Sequence, residues 1–233
     1  MSPEQQTIPL SVEGIGETTA TPYGGEDPAR PCFILAHGAG AGQHHPFIVQ
    51  TSTALATRGI NVLTFNFLYM QRGRGGPDRP PVLEATWRAA IRCATQLGWG
   101  ATRLVIGGKS MGGRIASMVV AGADAQPLPA PVHGLVLLGY PLHPPGRPDQ
   151  RRDKHLPAVG RPMLFVQGTR DALADLGLLR PIVDRLGAGA TLATIDDGDH
   201  SFRVRGGARA NAEVMDRIAD GVADWIDREA RAR

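Results

Sequence analysis

From Pro31 onward the chain alternates apolar runs of strand length with segments whose apolar residues recur every three or four positions, and this alternation limits the fold more than any other feature. The runs are Cys32 to Ala36, Val62 to Phe65, Leu104 to Ile106, Leu135 to Leu138, Met163 to Val166 and Leu192 to Ile195. Consecutive apolar residues leave a strand no face for water, so such strands need cover on both sides, as in a parallel sheet between helices. Leu83, Trp87, Ala90, Ile91, Ala94 and Leu97 fall at helical spacing, as do Val214, Met215, Ile218, Val222, Trp225 and Ile226. Phe47 to Thr57 and Ile115 to Val120 read as shorter helices. Ahead of these, Ile8 to Val12 and Thr18 to Thr21, separated by Gly14 and Gly16, read as a hairpin at a sheet edge. The expected fold is α/β, a doubly wound, mostly parallel sheet with helices on both faces and a ligand crevice at the carboxyl ends of the strands.

A chain of 233 residues has length for one buried core, so residues 1–233 are expected to form a single domain with a polar tail at 1–6. Residues 71–81, rich in Arg, Gly and Pro, and 141–162, rich in Pro and basic residues, read as long loops emerging on the crevice side. The pI is about 9.2, but the formal charge is only +3 and the cations are scattered, which argues against a nucleic-acid partner. The polar start lacks the charged and apolar regions of a secretory signal, and no apolar run is long enough to span a bilayer, so a cytoplasmic protein with no membrane partner is expected. Cys32 and Cys93 lie in a predicted strand and a predicted helix with no metal or redox spacing, and read as reduced, buried residues.

Chemistry concentrates at Gly108-Lys109-Ser110-Met111-Gly112-Gly113, between the run ending at Ile106 and a helical stretch beginning near Arg114. A strand, a tight turn and a helix in that order present Ser110 at the carboxyl edge of the sheet, with glycines where the reversal leaves no room for side chains. A phosphate-binding loop would need a glycine at position 103, which is Arg. A capping serine in a glycine-rich turn remains the plain alternative, and other residues decide against it. Past Met163 to Val166 comes Gly168-Thr169-Arg170-Asp171, which puts a carboxylate beyond the strand end. Past Leu192 to Ile195 comes Asp197-Gly198-Asp199-His200, which puts an imidazole there. Acyl transfer by serine needs a base and a group to hold that base, and Ser110, His200 and Asp171 supply these types. The acid is the least secure of the three, since Asp175, Asp196, Asp197 and Asp199 are near in sequence.

The remaining requirement is a pair of donors for oxyanion charge. His37-Gly38-Ala39-Gly40 follows the first parallel run, and the backbone N–H of Ala39 with that of Met111 forms the expected oxyanion hole. A dinucleotide loop is discounted, because position 43 is Gln where its third glycine would fall and Asn66 stands where an acid would.

Taken together, these motifs make the chain resemble the α/β-hydrolases of the compact, lidless kind related to dienelactone hydrolases and small carboxylesterases. A narrower resemblance, to the bacterial relatives of the testis-expressed and chromatin-complex α/β-hydrolase-like proteins, rests on further segments besides those above. They are Phe65-Asn66-Phe67, Pro81-Val82-Leu83-Glu84-Ala85-Thr86-Trp87 and Gly139-Tyr140-Pro141-Leu142-His143-Pro144-Pro145-Gly146. Ser110 stands where a true dienelactone hydrolase has Cys. The expected activity is hydrolysis of a carboxylic ester or thioester through an acyl-enzyme, with no metal and no organic cofactor. The alternative is an interaction protein on a hydrolase scaffold with an idle triad. A small acyl compound is the expected partner. His37, Lys109, His143 and Arg170 are candidate substrate contacts, with His37 better suited to bracing the oxyanion loop. Lys109 and the basic loop residues raise the hypothesis of an anionic substrate. His44 and His45 read as a helix cap or a pocket wall rather than metal ligands.

Overall fold

The structure is a computed structural model, and it describes residues 6–73, 75–122 and 125–231. Residues 1–5 of the expected polar tail lie outside the described residues. Eight strands form one sheet: β1 (Ile8–Val12), β2 (Gly16–Tyr23), β3 (Cys32–Ala36), β4 (Asn61–Phe65), β5 (Leu104–Lys109), β6 (Gly134–Leu138), β7 (Met163–Gly168) and β8 (Ala190–Ile195). Their order across the sheet is β1-β2-β4-β3-β5-β6-β7-β8. β1 and β2 form the hairpin and pair antiparallel to β4, while β4, β3, β5, β6, β7 and β8 run parallel. The helices are α1 (Pro46–Ala56), α2 (Leu68–Gln71), α3 (Pro80–Gln96), α4 (Met111–Val120), α5 (Leu176–Leu186) and α6 (Gly207–Arg231).

The apolar runs are continuous because both faces of the sheet are covered. Along β3, Cys32, Ile34 and Ala36 join the core that packs with α3, α4 and α5, while Phe33 and Leu35 join the core that packs with α1 and α6. All five residues are inaccessible to solvent, and burial of a side chain such as Phe33 or Leu35 is worth about 1.5–3 kcal/mol. The expected doubly wound fold with helices on both faces is therefore the fold observed.

Two helices, α2 and α5, lie outside the periodic segments of the sequence. α5 carries apolar residues at helical spacing but is interrupted by Gly177 and Pro181, and Asp175 starts it by accepting from Gly177 N at 2.7 Å. The four-residue α2 is shorter than any periodicity can register. α4 begins at Met111 rather than near Arg114 because the glycines of its first turn pack tightly against β3 and β5. A Cβ added at Gly112 would stand 2.6 Å from His37 O, so only glycine lets the helix come this close. α1 starts with Pro46 at its first position and His45 as its cap, whose Nδ1 accepts from Phe47 N at 3.2 Å.

The loops after β4 and β6 leave from the carboxyl edge of the sheet, and in the second His143 N donates to the carbonyl of Leu173, a cavity-wall residue, at 3.0 Å. Arg72 donates to Ile15 O at 3.0 Å, tying the first to the hairpin. In the second, Tyr140 donates to Arg152 O at 2.6 Å and His155 Nε2 lies 2.8 Å from Ser117 Oγ on α4, which folds the segment over that helix. Neither loop supplies a described residue to the main cavity.

Candidate active site

Ser110 occupies the turn between β5 and α4 with φ 51° and ψ −117°, a left-handed conformation that a non-glycine residue adopts at a cost. The turn is held by the Ser110 amide donating to Leu138 O at 2.9 Å and by Arg114 N donating to Ser110 O at 3.1 Å. The conformation thrusts Oγ upward at the sheet edge, where it lies 2.9 Å from His200 Nε2. His200 Nδ1 lies 2.7 Å from Asp171 Oδ2. An ionised carboxylate only accepts, so Nδ1 carries the proton and Nε2 is left to accept from the hydroxyl. Ser110, His200 and Asp171 come from the ends of β5, β8 and β7, and meet because those strands end at one edge in register.

The carboxylate is fully buried and fully engaged. Gln167 Nε2 donates to Asp171 Oδ2 at 2.6 Å, and Leu173 N donates to Oδ1 at 2.8 Å. Other nearby acids have different partners. Asp175 caps α5, Asp197 pairs with Arg170 at 2.7 Å, and Asp199 Oδ1 accepts from the amides of Ser201 and Arg203. Gln167 was not singled out in the sequence, although a buried amide in an otherwise apolar strand was the available signal.

Ala39 lies across from Ser110, on the loop that follows β3. A Cβ at the adjacent Gly38 would be 3.6 Å from Ser110 Cβ, so the loop passes at van der Waals distance. Tyr69 donates to Ala39 O at 2.8 Å and holds the loop from outside. The Met111 amide is the first of α4, an end whose N–H groups lack intrahelical acceptors. Among the described residues neither the Ala39 nor the Met111 amide donates a hydrogen bond to the protein.

His37 is fully buried, with Nδ1 2.7 Å from Gly38 O and Nε2 accepting from Phe67 N at 3.1 Å. Burial lowers its pKa to about 4, against a smaller upward pull from the Gly38 bond. Both ring nitrogens are thus occupied by backbone, and the ring braces the loop. His143 is held the same way, accepting at Nε2 from Asp175 N at 3.0 Å and lying 2.9 Å from Pro144 O through Nδ1. Arg170 is turned to Asp197, reaching both its carboxylate and its carbonyl. Neither His143 nor Arg170 is among the residues lining the cavity.

That cavity, about 640 Å³, opens over Ser110 and His200. Its walls include Phe47, Ile48, Phe202 and Met215, with Lys109 and Ala39 bordering Ser110. The rings of Phe47 and Phe202 stack with centroids 5.8 Å apart. Phe202 has φ 61° and is a wall residue that the sequence pattern did not flag.

A family model described as an alpha/beta hydrolase domain matches residues 29–227, and the chain belongs to that family. The fold is similar to that of Est1E from Butyrivibrio proteoclasticus, with a TM-score of 0.72 and 14% identity over 96% of this chain and 98% of that one. For a dienelactone hydrolase from Anabaena variabilis the values are 0.68 and 18%, over 97% of each chain. For XC6422 from Xanthomonas campestris, a serine hydrolase without a lid, they are 0.70 and 20%, also over 97% of each. At these identities the likeness is one of fold. Family and fold together make hydrolysis the class of activity this chain supports. No described helix is long and apolar enough to cross a membrane.

Proposed function

We propose that the chain is a serine hydrolase that cleaves a carboxylic ester or thioester through an acyl-enzyme. The observation that carries this reading is the unbroken hydrogen-bonded series from Ser110 Oγ through the His200 ring to Asp171, opening on a cavity. His200 Nε2 takes the hydroxyl proton as Ser110 Oγ attacks the acyl carbon, and Asp171 holds the ring in the required tautomer. The Ala39 and Met111 amides receive the oxyanion of the tetrahedral intermediate. The proton then passes from Nε2 to the departing alcohol or thiol, and a water molecule, activated by the same nitrogen, releases the acid and restores Ser110.

The apolar walls suit an acyl or aryl group, and their size suits a small molecule. Est1E, with which this chain shares its fold, has been solved with ferulic acid bound. The narrower resemblance to testis-expressed and chromatin-complex hydrolase-like proteins supplies the rival, an idle triad on an interaction protein. We place the activity in the cytoplasm, within a single domain, and without a metal or organic cofactor.

Labelling with a fluorophosphonate probe separates the two readings, because it requires an activated serine and no knowledge of the substrate. Wild-type protein is expected to label at Ser110, and Ser110→Ala to lose labelling and to lower ester turnover by about 10⁴-fold or more with the fold retained. Undiminished turnover in Ser110→Ala would assign the chemistry elsewhere, and an unlabelled wild type would favour the idle scaffold.

A further inference from the structure

Lys109 has no part in the acyl-transfer scheme, yet it adjoins Ser110 at the end of β5. Its stem runs beside Gly38, where an added Cβ would stand 3.7 Å from Lys109 Cγ. Its Nζ is buried and has no hydrogen-bond partner among the described residues. A buried ammonium with no hydrogen-bond partner in the protein is costly, so its retention here needs a reason. Nζ lies 5.5 Å from the centroid of the Phe202 ring, which also stacks with Phe47. Gly139, with φ 65°, provides the notch that admits it. A Cβ at Gly139 would lie 2.9 Å from Lys109 Nζ, 3.4 Å from His200 O and 3.6 Å from Asp171 Oδ2. One point beside Gly139 thus touches the amine, the backbone of the proposed base and the carboxylate that holds it.

We propose that Lys109 is a positioning residue whose buried ammonium keeps the Asp171 and His200 pair as carboxylate and neutral imidazole. A cation at this place favours the carboxylate and opposes a proton on the ring. The role rests on the reading of Ser110, His200 and Asp171 as a triad, and it differs from a substrate contact, which would need Nζ uncovered. Burial lowers the Lys109 pKa to about 8, with Asp171 and then Asp199 opposing the fall, so the charge is present throughout the acid range in which a histidine titrates.

On the loops beside His200, Arg170 and Asp197 are paired with each other at 2.7 Å. Asp199, on its own loop, is engaged with the amides of Ser201 and Arg203. Arg203, on the same loop, is exposed. His45 stands across the cavity as the cap of α1, and the His37 ring is kept neutral by burial. α6 faces the cavity with the uncharged Asn211 and Met215.

The test is an NMR titration of the His200 imidazole in the full-length wild type, Lys109→Met and Lys109→Arg, with fluorophosphonate labelling rates measured across the same pH range. Loss of the charge is expected to raise the His200 midpoint by about one pH unit, making labelling about tenfold slower on the acid limb, and Arg is expected to restore both. Lys109→Gln supplies the neutral side chain if the Met variant does not fold. An unmoved His200 midpoint in the neutral variant, or an Arg variant that titrates like Met, overturns the proposal. The titration needs no turnover, so the two readings fail separately. A shifted midpoint in proteins that never label would sink the serine hydrolase alone, whereas strong labelling with an unmoved midpoint would sink the role of Lys109 alone.

Discussion

His37 and His200 each follow the carboxyl end of a parallel strand, on loops that flank Ser110, and their surroundings are opposite. The His37 ring is inaccessible and has one nitrogen facing the Gly38 carbonyl and the other the Phe67 amide. The His200 side chain is 29% exposed and has both nitrogens on side chains, Asp171 and Ser110. A ring fastened by backbone on both sides can neither gain nor lose a proton without breaking a structural bond. A ring held between a carboxylate and a hydroxyl at a cavity wall has no such backbone bond to break, and in the proposed mechanism it does both. The difference shows that a histidine at a strand end acquires its role from what its two nitrogens meet, and hydrogen-bond partners therefore discriminate where sequence position does not.

The largest expected break in this comparison is at the acid behind His200. Asp171→Asn keeps the shape of the site but puts an amide where the ring needs an acceptor, and should lower kcat by about 10³–10⁴-fold in an ester assay. Retained turnover would mean that another carboxylate orients the ring.

The matching change on the bracing side is His37→Leu, which leaves the Phe67 amide unpaired in the interior and takes from the Gly38 carbonyl its shortest contact, leaving it the Ala41 amide at 3.3 Å and the Tyr69 hydroxyl at 3.4 Å. We expect a loss of about 1–3 kcal/mol in denaturant unfolding, with Tm falling roughly 2–4 °C for each kcal/mol. Stability should also show which ring is buried neutral. His37 and His155 are both lowered from 6.5 to about 4, His37 mainly by burial and His155 by burial and then by Arg114. Between pH 6.5 and about 4 the unfolded chain binds protons that the folded rings refuse, so stability falls as pH falls through that window. In His37→Leu the slope of Tm against pH across the window should be shallower, and an unchanged slope would show that the ring is protonated in the fold.

Arg170→Ala should have the smallest effect. Its guanidinium is half-exposed and committed to Asp197, an arrangement worth at most about 1 kcal/mol, and esterase turnover should stay within about twofold of wild type. A large rise in KM would return Arg170 to the substrate side.

Much of the frame was legible in the chain because parallel strands covered on both faces must be apolar at successive positions. Cys32–Ala36 has the bounds read from the sequence, and the other parallel strands extend the runs by one to three residues. The extensions follow a rule: β5 and β7 continue through Gly107, Gly108, Gln167 and Gly168, residues that pair as strand without adding apolar signal. α5 escaped because Gly177 and Pro181 are weak evidence for a helix until an N-cap and a sheet face are seen together. Gln167 escaped for a different reason. Its contact with Asp171 is local in sequence, yet it arises only because the chain folds back after β7 and returns the carboxylate over the strand end.

The order and length of the apolar runs were determined by the sequence alone, and with them the places where Ser110, Asp171 and His200 leave the sheet. Side-chain period and strand length are local properties, and a sheet has only one carboxyl edge. The tertiary structure decided which partners each polar group meets there. His37 and His143 turned to backbone, Arg170 to Asp197, and the Lys109 ammonium inward beneath Phe202, because those choices depend on burial and distance between segments far apart in the chain.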